Sequence, residues 1–146
     1  MTDENQRMLD TAIDAVKIGG KILMGVFGKI SQDQIGLKGA GDYVTQLDHE
    51  SEQAIIRRIR KTYPGHRFLA EESGDGGQTS QIQWCIDPLD GTANYVQGIP
   101  FFSISIGVLR DNRELMGVVY NPVTGEMFWA VRNQGARLND RRIHVS

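Results

Sequence analysis

A single cysteine, Cys85, among 146 residues excludes an internal disulfide framework. It stands between Trp84 and Ile86 in an apolar run, the setting of a core thiol, and no histidine or other base adjoins it to make a nucleophile. No apolar run is long enough to cross a bilayer. The first residues, Met1 to Gln6, are polar and acidic and lack the basic-then-apolar pattern of a secretory signal. The expected location is therefore the cytoplasm, with no membrane role. Neither sign of charge dominates: 16 Lys and Arg against 18 Asp and Glu leave a formal net charge of −2. That balance argues against a dominant nucleic-acid surface, although Arg57, Arg58, Arg60 and Lys61 form a local basic cluster. His49, His66 and His144 are scattered, so no Cys/His set has zinc spacing. Internal repeats and linkers are also missing, and the length is that of one domain.

What is present begins with an amphipathic helix. Thr2 is a capping hydroxyl ahead of the acids Asp3 and Glu4. Leu9, Ile13, Val16, Gly20, Leu23 and Phe27 then recur every three or four residues, and Gly28 is a natural stop. Residues 29–44 read as an extended hairpin around Gly39-Ala40-Gly41, with Lys38 on its loop. A second helix is expected from about Thr45, as N-cap, to Thr62, with Leu47, Ser51, Ala54, Ile55, Arg58 and Ile59 facing the core. A short strand, Arg67 to Ala70, leads into Glu71-Glu72, and Ser73 to Ser80 reads as an exposed loop.

From Phe101 onward the chain reads as an antiparallel meander. Phe102, Ile104, Ile106 and Val108 alternate with Ser103, Ser105 and Gly107. Turns are marked at Asp111-Asn112, Asn121 to Gly125, Asn133 to Gly135 and Asn139-Asp140. The expected fold class is α+β: a layered α/β plan with two N-terminal helices packed on a mainly antiparallel sheet.

The stretch richest in chemistry is Trp84 to Asn94. A strand from Ile82 to Ile86 is expected to end in a turn carrying Asp87 and Asp90 around Pro88, with Gly91-Thr92 directly after. Pro88 presets the turn. Gly91 permits close backbone approach, and the amides that follow can bind an anion. Asp48, Glu71, Glu72, Asp87 and Asp90 are five acids at the ends of elements. If they converge they repel one another unless a cation neutralises them. Mg²⁺ is the natural partner, a hard ion satisfied by one or two carboxylates, waters and a phosphate. The implied reaction class is metal-assisted hydrolysis of a phosphate monoester. The competing explanation is a structural set of caps and turns.

Three separated motifs resemble the inositol monophosphatase family, notably its bacterial SuhB-type members. They are Asp42-x-Val44-Thr45-x-x-Asp48, Glu71-Glu72, and the run Trp84 to Asn94. The blocks Phe101 to Val108 and Gly117 to Tyr120 are similar as well. The resemblance implies a layered sugar-phosphatase-like fold and a Mg²⁺-dependent, lithium-sensitive phosphatase that is commonly a homodimer. Its implied substrate is inositol 1-phosphate or a similar small phosphomonoester. It implies that Glu71, Asp87 and the Leu89 carbonyl ligate a first Mg²⁺, that Asp87 and Asp90 hold a second, and that Glu71 reaches a third through waters. Thr92 and Asp48 would orient the attacking water. Asp90 and the Gly91 and Thr92 amides would bind substrate, with Glu72 in support. Association with RNA polymerase in ribosomal RNA transcription is the alternative role that the SuhB-type resemblance implies, and an inactive phosphatase fragment is another. Family members are nearly twice this length, and their second half carries a Trp-Asp motif supplying a further metal ligand. Trp84 and Trp129 are not followed by Asp. Residues 1–146 are thus expected to be the N-terminal metal-binding domain of such a protein, without its C-terminal domain. Its sheet would lack a covering layer, and its second metal a ligand.

Overall fold

The computed structural model describes residues 1–29, 38–70, 74–75 and 80–146. Helix α1 spans Asp3–Met24, and its N-terminus is capped as the sequence predicts: Thr2 Oγ1 accepts from the Asn5 amide at 3.1 Å. It ends four residues before Gly28, because the Val26 and Phe27 amides both turn back to the Leu23 carbonyl. Gly28, at φ 77°, closes the turn that follows.

Helix α2 spans Lys38–Thr62 and corrects two expectations. Residues 38–44 are helical rather than part of a hairpin, and Thr45 lies inside the helix rather than capping it. The apolar period explains this. Val44 is as buried as Leu47 and Ile55 and sits on their stripe, so the helix reaches back past Thr45 to place it. The proposed hairpin's remaining residues, 30–37, lie outside the described residues. The buried face also takes in Glu52 and Ile56, both missed by the expected stripe, while Arg58 is only half-buried and pairs with Asp14 at 3.1 Å.

Among the described residues the sheet has eight strands in the order β2-β1-β3-β4-β5-β6-β7-β8. These are β1 Arg67–Ala70, β2 Gly74–Asp75, β3 Ile82–Asp90, β4 Ser103–Arg110, β5 Arg113–Asn121, β6 Glu126–Val131, β7 Ala136–Leu138 and β8 Arg141–Ile143. A short helix α3, Thr92–Val96, follows β3. Every pairing is antiparallel except β1 with β3. The meander hairpins turn where the sequence marks them: Asp111 and Asn112 both adopt positive φ, the geometry that matches a two-residue turn to strand twist.

Both long helices pack on one face of the sheet. Phe102, Ile104, Ile106 and Val108 all point into that core, with Trp84 and Ile86 beside them. Gly19 is where α1 meets α2: a Cβ there would lie 2.7 Å from Ser51 Oγ and 2.9 Å from Ile55 Cδ1. The opposite face is open in this chain. Leu69, Val119 and Phe128 lie on it and remain 46%, 42% and 38% exposed.

Candidate functional site

The carboxylate pair is organised by an irregularity in β3. The strand does not stop at Ile86 but runs on to Asp90. Asp87 pairs with Ser105 and Asp90 with Ser103, so three steps along β3 match two along β4. Residues three apart on a regular strand face opposite ways. The one extra residue of this bulge removes that opposition. Residues paired across an antiparallel ladder share a face, and Ser103 and Ser105, two apart, share theirs. Asp87 and Asp90 therefore stand on the same, open face. Pro88 fits the irregularity because it has no N–H to offer a ladder, and the Leu89 amide turns to Asp87 Oδ1 at 3.3 Å.

The bulge is braced from the helix side. Ser51, fully buried on α2, donates to the Pro88 carbonyl at 3.3 Å. Asp48 precedes Ser51 by one helical turn and is 7% exposed, so it approaches the bulge from within the helical layer. Beyond Asp90 the chain turns at Gly91, with φ 89°. A Cβ there would sit 3.2 Å from the Phe101 carbonyl, so glycine is required both for the backbone conformation and for the space.

Helix α3 has only five residues and no side-chain N-cap bond. Its position is set by two tertiary clamps. Tyr95 Oη donates to the Leu23 carbonyl at 2.7 Å, and Asn94 Nδ2 donates to the Phe101 carbonyl at 2.8 Å. Tyr95 also packs against Phe27 and Phe102, with ring centroids 5.7 and 5.0 Å away. Burial pushes its phenol up to about 12. Thr92, the first residue of α3, is solvent-exposed.

Of the residues singled out from sequence, Asp87, Leu89, Asp90, Gly91 and Thr92 thus lie in one corner, with Asp48 behind it. Glu71 and Glu72 lie outside the described residues. Among the described residues no group of three or more His, Cys, Asp or Glu side chains comes together to hold an ion. Asp48 is therefore not gathered with Asp87 and Asp90 into one cage. The donors in the corner are all hard oxygens, two carboxylates and the Leu89 carbonyl, a set that suits Mg²⁺ rather than a soft metal. Cys85 does not sit in the core as expected. It is half-buried on the open face opposite Gly107, and burial raises its thiol pKa, which keeps it protonated and unreactive.

Ser51 and Tyr95 were not singled out as site residues from the sequence. A serine on the core-facing stripe of α2 was the available signal for the first. Nothing local marks the second, whose partner is 72 residues away.

The chain matches the model of the inositol monophosphatase family over residues 4–146. It is 48% identical over 139 residues to a protein named Nus factor SuhB from Pasteurella multocida, covering 94% of this chain and 52% of that protein. It is 41% identical to an inositol-1-monophosphatase from Mesorhizobium japonicum, covering 95% and 53%. The crystal structure of the extragenic suppressor protein suhB from Bartonella henselae superposes with a TM-score of 0.84 at 37% identity, covering 96% of this chain and 54% of that one. The chain spans about half the length of these relatives. With the layered fold and the Asp87–Thr92 corner, the match over nearly every residue establishes that the chain belongs to the inositol monophosphatase family.

Proposed function

We propose that residues 1–146 form the metal- and phosphate-binding half of a Mg²⁺-dependent phosphomonoesterase acting on inositol 1-phosphate or a similar small phosphate ester. The observation that carries this is the β3 bulge, which brings Asp87 and Asp90 onto one face directly before the Gly91 turn. Asp87, Asp90 and the Leu89 carbonyl would hold Mg²⁺, together with Glu71. The ion, when bound, supplies Lewis acidity toward the phosphoryl group and lowers the pKa of water.

The chain's own residues do the rest. The Gly91 and Thr92 amides bind phosphate oxygens, and the Thr92 hydroxyl with the Asp48 carboxylate orients the attacking water. Glu72 supports the ligands. Asp48 would enter this role from a buried position on α2, one helical turn before Ser51. A homodimer and cytoplasmic action belong to the same proposal. For location, the structure adds only that no described helix is long and apolar enough to cross a membrane.

The test is phosphate release from inositol 1-phosphate with and without Mg²⁺ and lithium, for the full-length parent protein and for its Asp90→Asn variant, residues 1–146 alone being expected to turn over poorly, if at all. The expected result is Mg²⁺-dependent, lithium-inhibited release that falls more than about tenfold in the variant, as when a metal site is disturbed. Release that ignores Mg²⁺, or survives Asp90→Asn undiminished, overturns the proposal.

The name Nus factor on the 48% identical relative favours a second role, binding to RNA polymerase during ribosomal RNA transcription. The basic cluster on α2 is narrower than its sequence suggests. Arg58 is paired with Asp14, and Arg60 stacks over Phe68 at 4.9 Å, which leaves Arg57 and Lys61 as its exposed members outside those contacts. Co-purification with RNA polymerase that survives Asp87→Asn supports this second role. Its loss in that variant counts against a role separate from the metal site.

A further inference from the structure

A second groove lies on the helix side of the sheet, along the flank of α1. Tyr120 pairs with Ile104 and Trp129 with Val118, and both partners are buried under the helices. Tyr120 and Trp129 therefore face the helical layer, opposite Val119 and Phe128. Helix α1 presses closely on Tyr120, since a Cβ at Gly20 would lie 2.9 Å from its ring. Beside that contact opens a groove of about 290 Å³. Ile13 and Lys17 line it from α1, Met127 and Trp129 from β6, and Asn139 and Asp140 from the turn between β7 and β8.

The sheet wall of this groove is built in advance. Trp129 Nε1 donates to the Asn139 carbonyl at 3.0 Å, and Arg137, its pairing partner on β7, sets a guanidinium over the ring at 5.7 Å. Arg137 Nη1 in turn donates to the Asp140 carbonyl at 2.9 Å. The Asn139 amide donates to the Met127 carbonyl, and Asn139 Oδ1 accepts from the Met127 amide. Those bonds occupy the oxygens of Asn139 and leave its NH₂ to donate. The Lys17 ammonium and the Asp140 carboxylate enter no ion pair among the described residues.

The groove thus offers two donors for an anion, one acceptor for a cation, and an apolar bed. Its volume is at the small end of ligand sites, room for one small molecule. A plain anion would face Asp140 and a plain cation would face Lys17, whereas a zwitterion satisfies both. Arg137 already lies over the Trp129 ring, so the bed suits an aliphatic side chain rather than a second stacked ring.

We infer that this groove binds a free α-amino acid with an aliphatic side chain, at a site separate from the Asp87–Thr92 corner. Lys17 and the Asn139 NH₂ take its carboxylate, and Asp140 takes its ammonium. The side chain rests on Ile13, Met127 and Trp129.

The experiment is calorimetric titration of the full-length parent protein with L-leucine and with N-acetyl-leucinamide, which has the same side chain and neither charge. Lys17→Met and Asp140→Asn are titrated with leucine. Both positions are solvent-exposed, so the fold should be kept, which the Tm of each variant checks. Leucine should bind, and its Kd should rise about fivefold or more in each variant, the scale of one charged contact at a partly exposed site. N-acetyl-leucinamide, lacking both contacts, should bind at least about tenfold more weakly. That comparison needs no variant and holds even if one misfolds. No leucine binding, or an unchanged Kd in either variant, overturns the inference. So does N-acetyl-leucinamide binding as tightly as leucine, which would mark a groove for a peptide segment. Failure here leaves the phosphatase reading untouched, because no residue of that corner takes part.

Discussion

Replacing Gly19 with alanine tests whether the helical layer holds the carboxylate corner in place. The new Cβ would lie 2.7 Å from Ser51 Oγ and 2.9 Å from Ile55 Cδ1, both closer than van der Waals contact allows. Overpacking of this kind costs about 1–3 kcal/mol. The better helix propensity of alanine returns about 1 kcal/mol. Displacing Ser51 also weakens its 3.3 Å bond to the Pro88 carbonyl, for about another 1 kcal/mol. The expected net loss is about 1–3 kcal/mol, or roughly 3–10 °C in Tm for a chain of this size. Urea and thermal unfolding followed by the fluorescence of Trp84 and Trp129 would measure it. Gly65, where an added Cβ meets nothing within 4 Å, provides the control substitution.

A double-mutant cycle sharpens the test. Ser51→Ala removes the hydroxyl that the new Cβ of Gly19→Ala strikes, so the pair should couple favourably by about 1 kcal/mol. A Gly19→Ala variant as stable as wild type, or one whose cost is unchanged by Ser51→Ala, refutes the idea that α1 presses α2 onto the bulge through this contact.

His66 accepts a hydrogen bond from Trp84 Nε1 at 3.0 Å through Nδ1 and stacks on Tyr63 at 4.5 Å. Burial, against a smaller opposing effect of Glu4 and a reinforcing one of Arg110, lowers its pKa from the ordinary 6.5. A lowered folded-state value means the contribution to stability is complete above pH 6.5 and is lost as pH falls through the depressed value. Stability measured stepwise below pH 6.5 should therefore decline, and His66→Phe should flatten that decline. An equal slope in the variant assigns the acid sensitivity elsewhere. Gly91→Ala should destabilise the chain by more than about 1 kcal/mol, because it demands φ 89° of an alanine and crowds the Phe101 carbonyl at 3.2 Å. It should also weaken Mg²⁺-dependent phosphate release beyond what partial unfolding accounts for. Wild-type Tm and turnover in this variant would remove Gly91 from both roles.

The parts of the fold that were legible in the sequence are those fixed by local chemistry. Asp111-Asn112 and Asn139-Asp140 turn where a two-residue loop needs residues tolerant of positive φ. The alternation from Phe102 to Val108 declares its buried face because strand period and burial coincide there. What escaped was decided by tertiary contact. Gly39 and Gly41 look like loop residues, yet the helix runs through them to seat Val44 in the core. Asp87 and Asp90 look like turn residues, yet they remain in the sheet because β4 continues to pair with them. Their three-residue spacing alone reads as opposed faces in a strand or a shared corner in a turn. Only the register against Ser103 and Ser105 decides between these.

The bulge in β3 has a consequence for how this corner can change. It works as a parity bit: the count of residues between Asp87 and Asp90, rather than their chemistry, decides which way each acid faces. Substituting Leu89 alters the packing at that position and leaves the count alone. Inserting one residue beside it, with the bulge kept, turns one carboxylate away from the other without removing a single functional group, whereas deleting Leu89 restores a regular two-residue spacing that keeps both on one face. Evolutionary drift in this corner is therefore free to exchange side chains at constant length, whereas an insertion there is a switch rather than a gradation.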